Sequence, residues 1–312
     1  MMRRNCSAWV AALDAGHLGP PHSEGRAAPG WRTYSQSYQD GVLERIFNFF
    51  GTENKRFVEF GLGYTEGKPL SSAAMDALKL NTRLLARQSG WSGVYFDALV
   101  EDAAFDVRRE RLTRASIVDA FYAAGVPPTV DYVSIDVDSI DAWLLQGMLD
   151  GAHVRPRVIS LEYNGNFLAR DSVVMNETWV PWNGRSMYGA SAKALVNIGA
   201  RHGYQLLYLM SYFDLFLVRE DVLATQCDLR SIPPLAQQAR GKLPTKQHLP
   251  CQPYELDRMV DVRHLFGEMD AATARSHARE AVRRSNEALD ALRRRGLRPT
   301  CCARTGTPVC RL

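Results

Sequence analysis

A chain of 312 residues is long enough to bury a full core in one or two domains, and 46% hydrophobic with 23% charged residues is the make-up of an ordinary globular protein. No run approaches the ~20 uninterrupted apolar residues that span a bilayer, so no transmembrane segment is expected. The net charge of +4 is local: from Phe266 to Leu312 ten arginines face five acids, a basic tail that reads as a solvated face rather than a specific nucleic-acid site.

Residues 1–32, rich in Gly, Pro, Ala and His, read as a flexible leader. The opening basic pair is followed by a short apolar run broken by Asp14, a poor secretory signal; an organelle transit segment is the alternative to a disordered leader on a cytoplasmic protein. The six cysteines (6, 227, 251, 301, 302 and 310) form no CxxC pair and match no common zinc spacing, so reduced thiols are expected. Residues 34–50 place Val42, Leu43, Ile46, Phe47 and Phe50 at helical spacing. Apolar runs then alternate with helical patterns: strands at 57–61, 93–98, 131–138 and 157–164, one or two helices over 71–90, helical material near 118–124, and a helix over 190–204 stopped by Gly203. A closing strand pair, YQLLYL and LFLVRE, follows. The runs VEF, VYF, VSIDV and VISLE are apolar without clean alternation, as in strands buried on both faces. The expectation is an α/β fold, a mostly parallel sheet with helices on both faces. The domain occupies residues 33–226, a proline-rich linker or loop 227–265, and a basic helix with a Cys-containing tail 266–312.

In such a sheet, ligands bind beyond the carboxyl ends of the strands, where the strand order reverses. Acids stand at four successive strand ends: Glu59, Asp97, Asp136 with Asp138, and Glu162 followed by Asn164. Unpaired buried carboxylates are costly, so four together point to a site. Gly61 and Gly63 allow a ligand close to the backbone after the first strand, and a carboxylate at Asp97 suits ribose hydroxyls. On a strand, Asp136 and Asp138 share one face, and so do Glu162 and Asn164, whereas Asp141 starts the next helix. If these strands are neighbours, three carboxylates and an amide converge, suited either to Mg²⁺ held by Asp136, Asp138 and Glu162 or, without metal, to general-base work on a hydroxyl. Tyr163, Trp179, Trp182, Tyr188 and Tyr212 follow the fourth strand, as core or lid packing or as stacking groups for a ring.

The order YSQSYQDGVLERIF, FVEFGLG, NTRLLARQSGWSGVYFD, DYVSIDVDSIDAW and RVISLEYN resembles the FkbM-type methyltransferases over roughly residues 34–220. The resemblance implies a Rossmann-like fold that binds S-adenosylmethionine (SAM) and methylates a hydroxyl oxygen of a small molecule or glycan. It carries the cofactor role onto Glu59, Gly61, Gly63, Asn81 and Asp97, with Asp136 near the methionine end and Asp138, Glu162 and Asn164 facing the acceptor. Three places depart from the family pattern: Tyr64 and Thr65 lengthen the glycine turn, Ser139-Ile140 stands where relatives carry Gly-Asn, and the segment after Asp97 is compressed, with no obvious acid in RASIVDAF to accept from the adenine amine. Two rival readings follow. Asp136-Val137-Asp138 is also the DxD of a metal-dependent glycosyltransferase, and the departures suit a SAM-binding module without catalysis.

Overall fold

The computed structural model describes residues 3–17, 32–63, 69–178, 189–211, 214–243 and 255–295. In chain order its first half contains α1 (Ser7–His17), α2 (Gln39–Phe50), β1 (Arg56–Phe60), α3 (Ser72–Ala77), α4 (Arg83–Arg87), β2 (Ser92–Asp97), β3 (Val107–Arg109), α5 (Ile117–Ala123), β4 (Tyr132–Ile135) and α6 (Asp141–Asp150). Then follow β5 (Val158–Glu162), β6 (Val173–Met175), α7 (Ala192–Arg201), β7 (Tyr204–Leu209), β8 (Asp214–Arg219), α8 (Glu220–Leu223), α9 (Leu235–Gln238), β9 (Met259–Asp261) and α10 (Ala271–Arg294).

Seven strands form one sheet in the order β3-β2-β1-β4-β5-β8-β7. The first five are parallel, and β8 runs antiparallel to both β5 and β7. Chain order reverses between β1 and β4, which leaves a crevice at their carboxyl ends. Strand alternation sends Val58, Phe60, Val133 and Ile135 into a core shared with α5, α6 and α7, and Phe57, Tyr95 and Tyr132 into a second core under α1 and α2. This is a Rossmann-like sheet with helices on both faces. The helical spacing read over 34–50 is realised in α2, whose Val42, Leu43, Ile46, Phe47 and Phe50 are all buried. Trp91 meets Phe47 edge to face at 5.0 Å, and a Cβ on the neighbouring Gly93 would stand 2.3 Å from the Phe57 ring. Glycine there lets β2 lie flush against β1. No helix among the described residues is long and apolar enough to cross a membrane.

Three expectations change. The expected leader contains α1, which buries Val10 and Leu13 in the second core, while the remainder up to Trp31 lies outside the described residues. Cys6 and Cys227, expected as reduced thiols, form a disulfide with Cα atoms 5.6 Å apart across 221 positions of sequence. Nothing in local spacing announces a pair that only the docking of α1 beside the turn after α8 brings together. Such a bond is characteristic of oxidising compartments rather than the cytosol. Finally, the stretch expected as linker and appended tail supplies β9, which pairs with β6, and α10, whose Ala274, Ala278 and Val282 enter the first core. Three-residue strands such as β6 and β9 are too short to carry a periodic signal. The four remaining cysteines lie outside the described residues.

Candidate functional site

Where the sheet order reverses, a cleft of about 500 Å³ opens, lined by Glu59, Gly61, Asp97, Asp136, Asp138 and Glu162 among others. Small-molecule sites are typically about 300–1,000 Å³. The sequence-predicted residues that line it each have a distinct place.

Glu59 is buried on β1 and fully engaged. Its Oε1 accepts from the Asn81 backbone N–H (2.8 Å), and its Oε2 from the Thr82 N–H (3.1 Å) and hydroxyl (2.5 Å). This explains the Asn-Thr pair: it anchors the start of α4 to β1. Burial pushes the Glu59 carboxyl up to about 7, against those hydrogen bonds. The Asn81 side chain turns toward the sheet, donating to Ser134 Oγ (3.0 Å) and Asp214 Oδ2 (3.2 Å).

Gly61 has φ +76°, and a Cβ there would lie 1.9 Å from the Asp136 carbonyl oxygen. Its first task is therefore close backbone packing, which presses the loop after β1 onto the loop after β4. Gly63, φ +62°, has open space where a side chain would stand. The Asp97 carboxylate at the end of β2 is oriented by two backbone donors, Leu62 N–H to Oδ2 (3.0 Å) and Leu99 N–H to Oδ1 (2.7 Å). Each carboxylate oxygen accepts more than one hydrogen bond, so Asp97 keeps capacity for a hydroxyl-bearing ligand.

The fourth motif differs from a simple strand. β4 ends at Ile135, and Asp138 takes a left-handed conformation, φ +56°. Asp136 and Asp138 therefore meet through a turn rather than through strand alternation. Together with Glu162 they bring one carboxylate oxygen each to within 4.8 Å of one another. Burial and mutual repulsion hold Asp136 and Glu162 well above the ordinary carboxylate range, and burial raises Asp138, opposed by its contact with Glu162. Asp141, as expected, opens α6: it accepts from the Val137 and Ser139 N–H groups, both at 2.9 Å, and burial lifts it to about 6.

Asn164 departs from expectation. β5 ends at Glu162, and the Asn164 Oδ1 accepts from the Asn166 N–H (3.1 Å) in a local turn; Asn164 does not line the cleft. Tyr163 is core, its hydroxyl donating to the Met210 carbonyl (2.6 Å), and Trp179, Trp182, Tyr188 and Tyr212 lie outside the described residues.

Sequence reasoning passed over several contributors. Asp214 is the register partner of Glu162 on β8, and burial raises it to about 7. Gln39 bonds to Asp214 and lines the cleft with Gln36. Beyond Asp97, the cleft wall continues through Leu99 and through Glu110 to Leu112 after β3. An acid opening an apolar run was the only signal for Asp214, and cross-strand register is invisible in one sequence. No protein-family model matches the chain, and no curated protein matches it either.

Proposed function

We propose that the protein is a SAM-dependent methyltransferase acting on a hydroxyl oxygen. The observation that carries this reading is the course of the cleft. It runs from Asp97, whose carboxylate two backbone N–H groups hold in place, across Gly61 and Gly63 at the switch point, to the carboxylates after β4 and β5. A nucleoside followed by an amino-acid tail fits such a path: Asp97 accepts from ribose hydroxyls, the half-exposed Leu99 and buried Leu112 flank the base, and Asp136 lies toward the methionine end. The sheet supports the same reading. Dinucleotide-binding folds use an all-parallel 3-2-1-4-5-6 order, whereas here antiparallel β8 is inserted between β5 and β7, as in the methyltransferase fold that the sequence resemblance implies.

The sulfonium donor supplies an already activated methyl group. The chain's residues align the acceptor and take its proton. Asp138 and Glu162, lifted above the usual carboxylate range, are better bases than exposed acids and stand at the end of the cleft away from Asp97. The glycosyltransferase alternative uses the DxD pair but gives Gly63 and Asp97 no task.

Calorimetric titration with SAM, its demethylated product and a panel of nucleotide-sugars tests the reading. SAM and its product should bind, and Asp97→Asn should weaken both by about 1.5–3 kcal/mol through loss of a charged acceptor. Binding of a nucleotide-sugar with no binding of SAM would overturn it. A screen of hydroxylated acceptors with labelled SAM then separates an enzyme from a binding module.

A further inference from the structure

We propose that Asp136, Asp138 and Glu162 are the protein ligands of a divalent cation of the hard, oxygen-binding class, Mg²⁺ or Mn²⁺. Three carboxylates at mutual distances within 4.8 Å do not by themselves make a metal site. What singles out this group, a buried Glu162 beside the half-buried Asp136 and Asp138, is how buried acids elsewhere among the described residues are treated. Asp131 accepts from three backbone N–H groups and pairs with Arg157; Glu59 accepts from two N–H groups and a hydroxyl; Asp40 accepts from three N–H groups at Oδ2, although its Oδ1 is buried without a partner. Asp171 has Arg284 and the Leu168 N–H, and Asp214 has Asn81 and Gln39.

Glu162 has nothing of the kind. It is 8% exposed and faces the cleft, yet among the described residues no N–H, hydroxyl or cationic side chain bonds to its carboxylate. What its carboxylate meets instead are other acids, Asp138 directly and Asp136 within 4.8 Å. The donors that might have served the cluster are spent: the Val137 and Ser139 N–H groups, on either side of Asp138, both turn to Asp141. Buried charge without a partner is expensive, and hard oxygen donors converging from two adjacent loops are the usual remedy when the missing partner is a metal ion. The close packing of Gly61 on the Asp136 backbone fixes one of these loops, so the donor set is built before any ion arrives.

Three monodentate carboxylates leave further coordination positions open on an ion that prefers six. Water or a neighbouring pair of acceptor oxygens in the cleft would fill them, and the cation would lower the pKa of a bound hydroxyl. Each ligand retains a second oxygen to receive the proton. The cation site stands without the methyl-donor reading; only the identity of the bound hydroxyl rests on it.

Titration of the full-length protein with MnCl2, followed by electron paramagnetic resonance of free Mn²⁺ and repeated with MgCl2 by calorimetry, needs no SAM and no acceptor. One saturable site per chain is expected. Asp136→Asn and Glu162→Gln should each weaken it by more than about 10-fold, a loss reached even by changes outside the ligand shell, while Asp102→Asn leaves it unchanged. The wild-type protein should also melt at a higher temperature with Mg²⁺ than with a chelator. Absence of saturable binding to the wild type, or unaltered binding in both cluster variants, overturns the proposal. SAM titration with chelator present separates that failure from failure of the donor reading.

Discussion

An acid flanks β4 at either end, and the two are treated very differently. Asp131, ahead of Tyr132, is fully buried; it accepts from the N–H groups of Glu53, Asn54 and Lys55 at 2.6–3.0 Å and stands 3.0 Å from the Arg157 guanidinium. Asp136, just past Ile135, accepts no hydrogen bond from any described donor and faces Asp138 and Glu162 instead. The acid ahead of β4 is spent on local donors, whereas the acid that follows β4 meets only other carboxylates among the described residues. Asp131 and Asp136 thus differ both in burial and in the inventory of donors around them.

The sharpest way to break that contrast is to remove the satisfied acid. Asp131→Ala leaves three N–H groups without an acceptor and takes from Arg157 the nearer of its two carboxylates, and should cost about 3–5 kcal/mol in urea unfolding. A loss under 1 kcal/mol would mean that the amino edge is no more structural than the carboxyl edge. Next in size is the disulfide, which also lies toward the amino edge. Cys6→Ser with Cys227→Ser should lower stability by about 2–4 kcal/mol while SAM and Mn²⁺ titrations stay as in the parent. A matching loss of ligand affinity would tie the two edges together.

A pH series probes the carboxyl edge itself. The Glu59 carboxyl is raised to about 7 from an ordinary 4.5, so the folded chain holds this proton more tightly than the unfolded one. Its contribution is fully present below pH 4.5, and is lost as pH rises through 7. The difference amounts to about 3 kcal/mol. Urea melts at pH 5 and 8 should show the parent weakening more than Glu59→Gln over that interval; parallel slopes would remove Glu59 as the cause. The smallest effect is a gain. Asp136→Asn relieves repulsion among uncompensated carboxylates, and metal-free protein carrying it should be more stable by on the order of 1 kcal/mol at pH 8, even as transfer is lost. Destabilisation on the scale of Asp131→Ala would mark Asp136 as structural.

Much of this architecture was legible in the chain. Buried parallel strands announce themselves as unbroken apolar runs, so β1, β2, β4 and β5 were read within a few residues, and α2 declared itself by spacing. Glu59, Asp97, Asp136, Asp138 and Glu162 were found because strand ends in such a sheet converge on one crevice. What escaped depended on distance along the chain. Cys6 and Cys227 meet across 221 positions, and Asp214 reaches Glu162 only through antiparallel register. Backbone detail escaped as well: Gly61 looked like room for a ligand and serves first as room for Asp136, while Asn164 looked like the next residue on a face of a strand that had already ended.

The bond between Cys6 and Cys227 gives the chain the topology of a closed loop with a free arm. All seven strands of the main sheet lie within the loop, whereas β9 and α10 belong to the arm. A single protease cut anywhere between the two cysteines thus linearises a ring without releasing a fragment. The nicked protein would migrate as one species on a denaturing gel until a thiol is added. A single cut that sheds mass without reductant therefore lies outside the ring that Cys6 and Cys227 close.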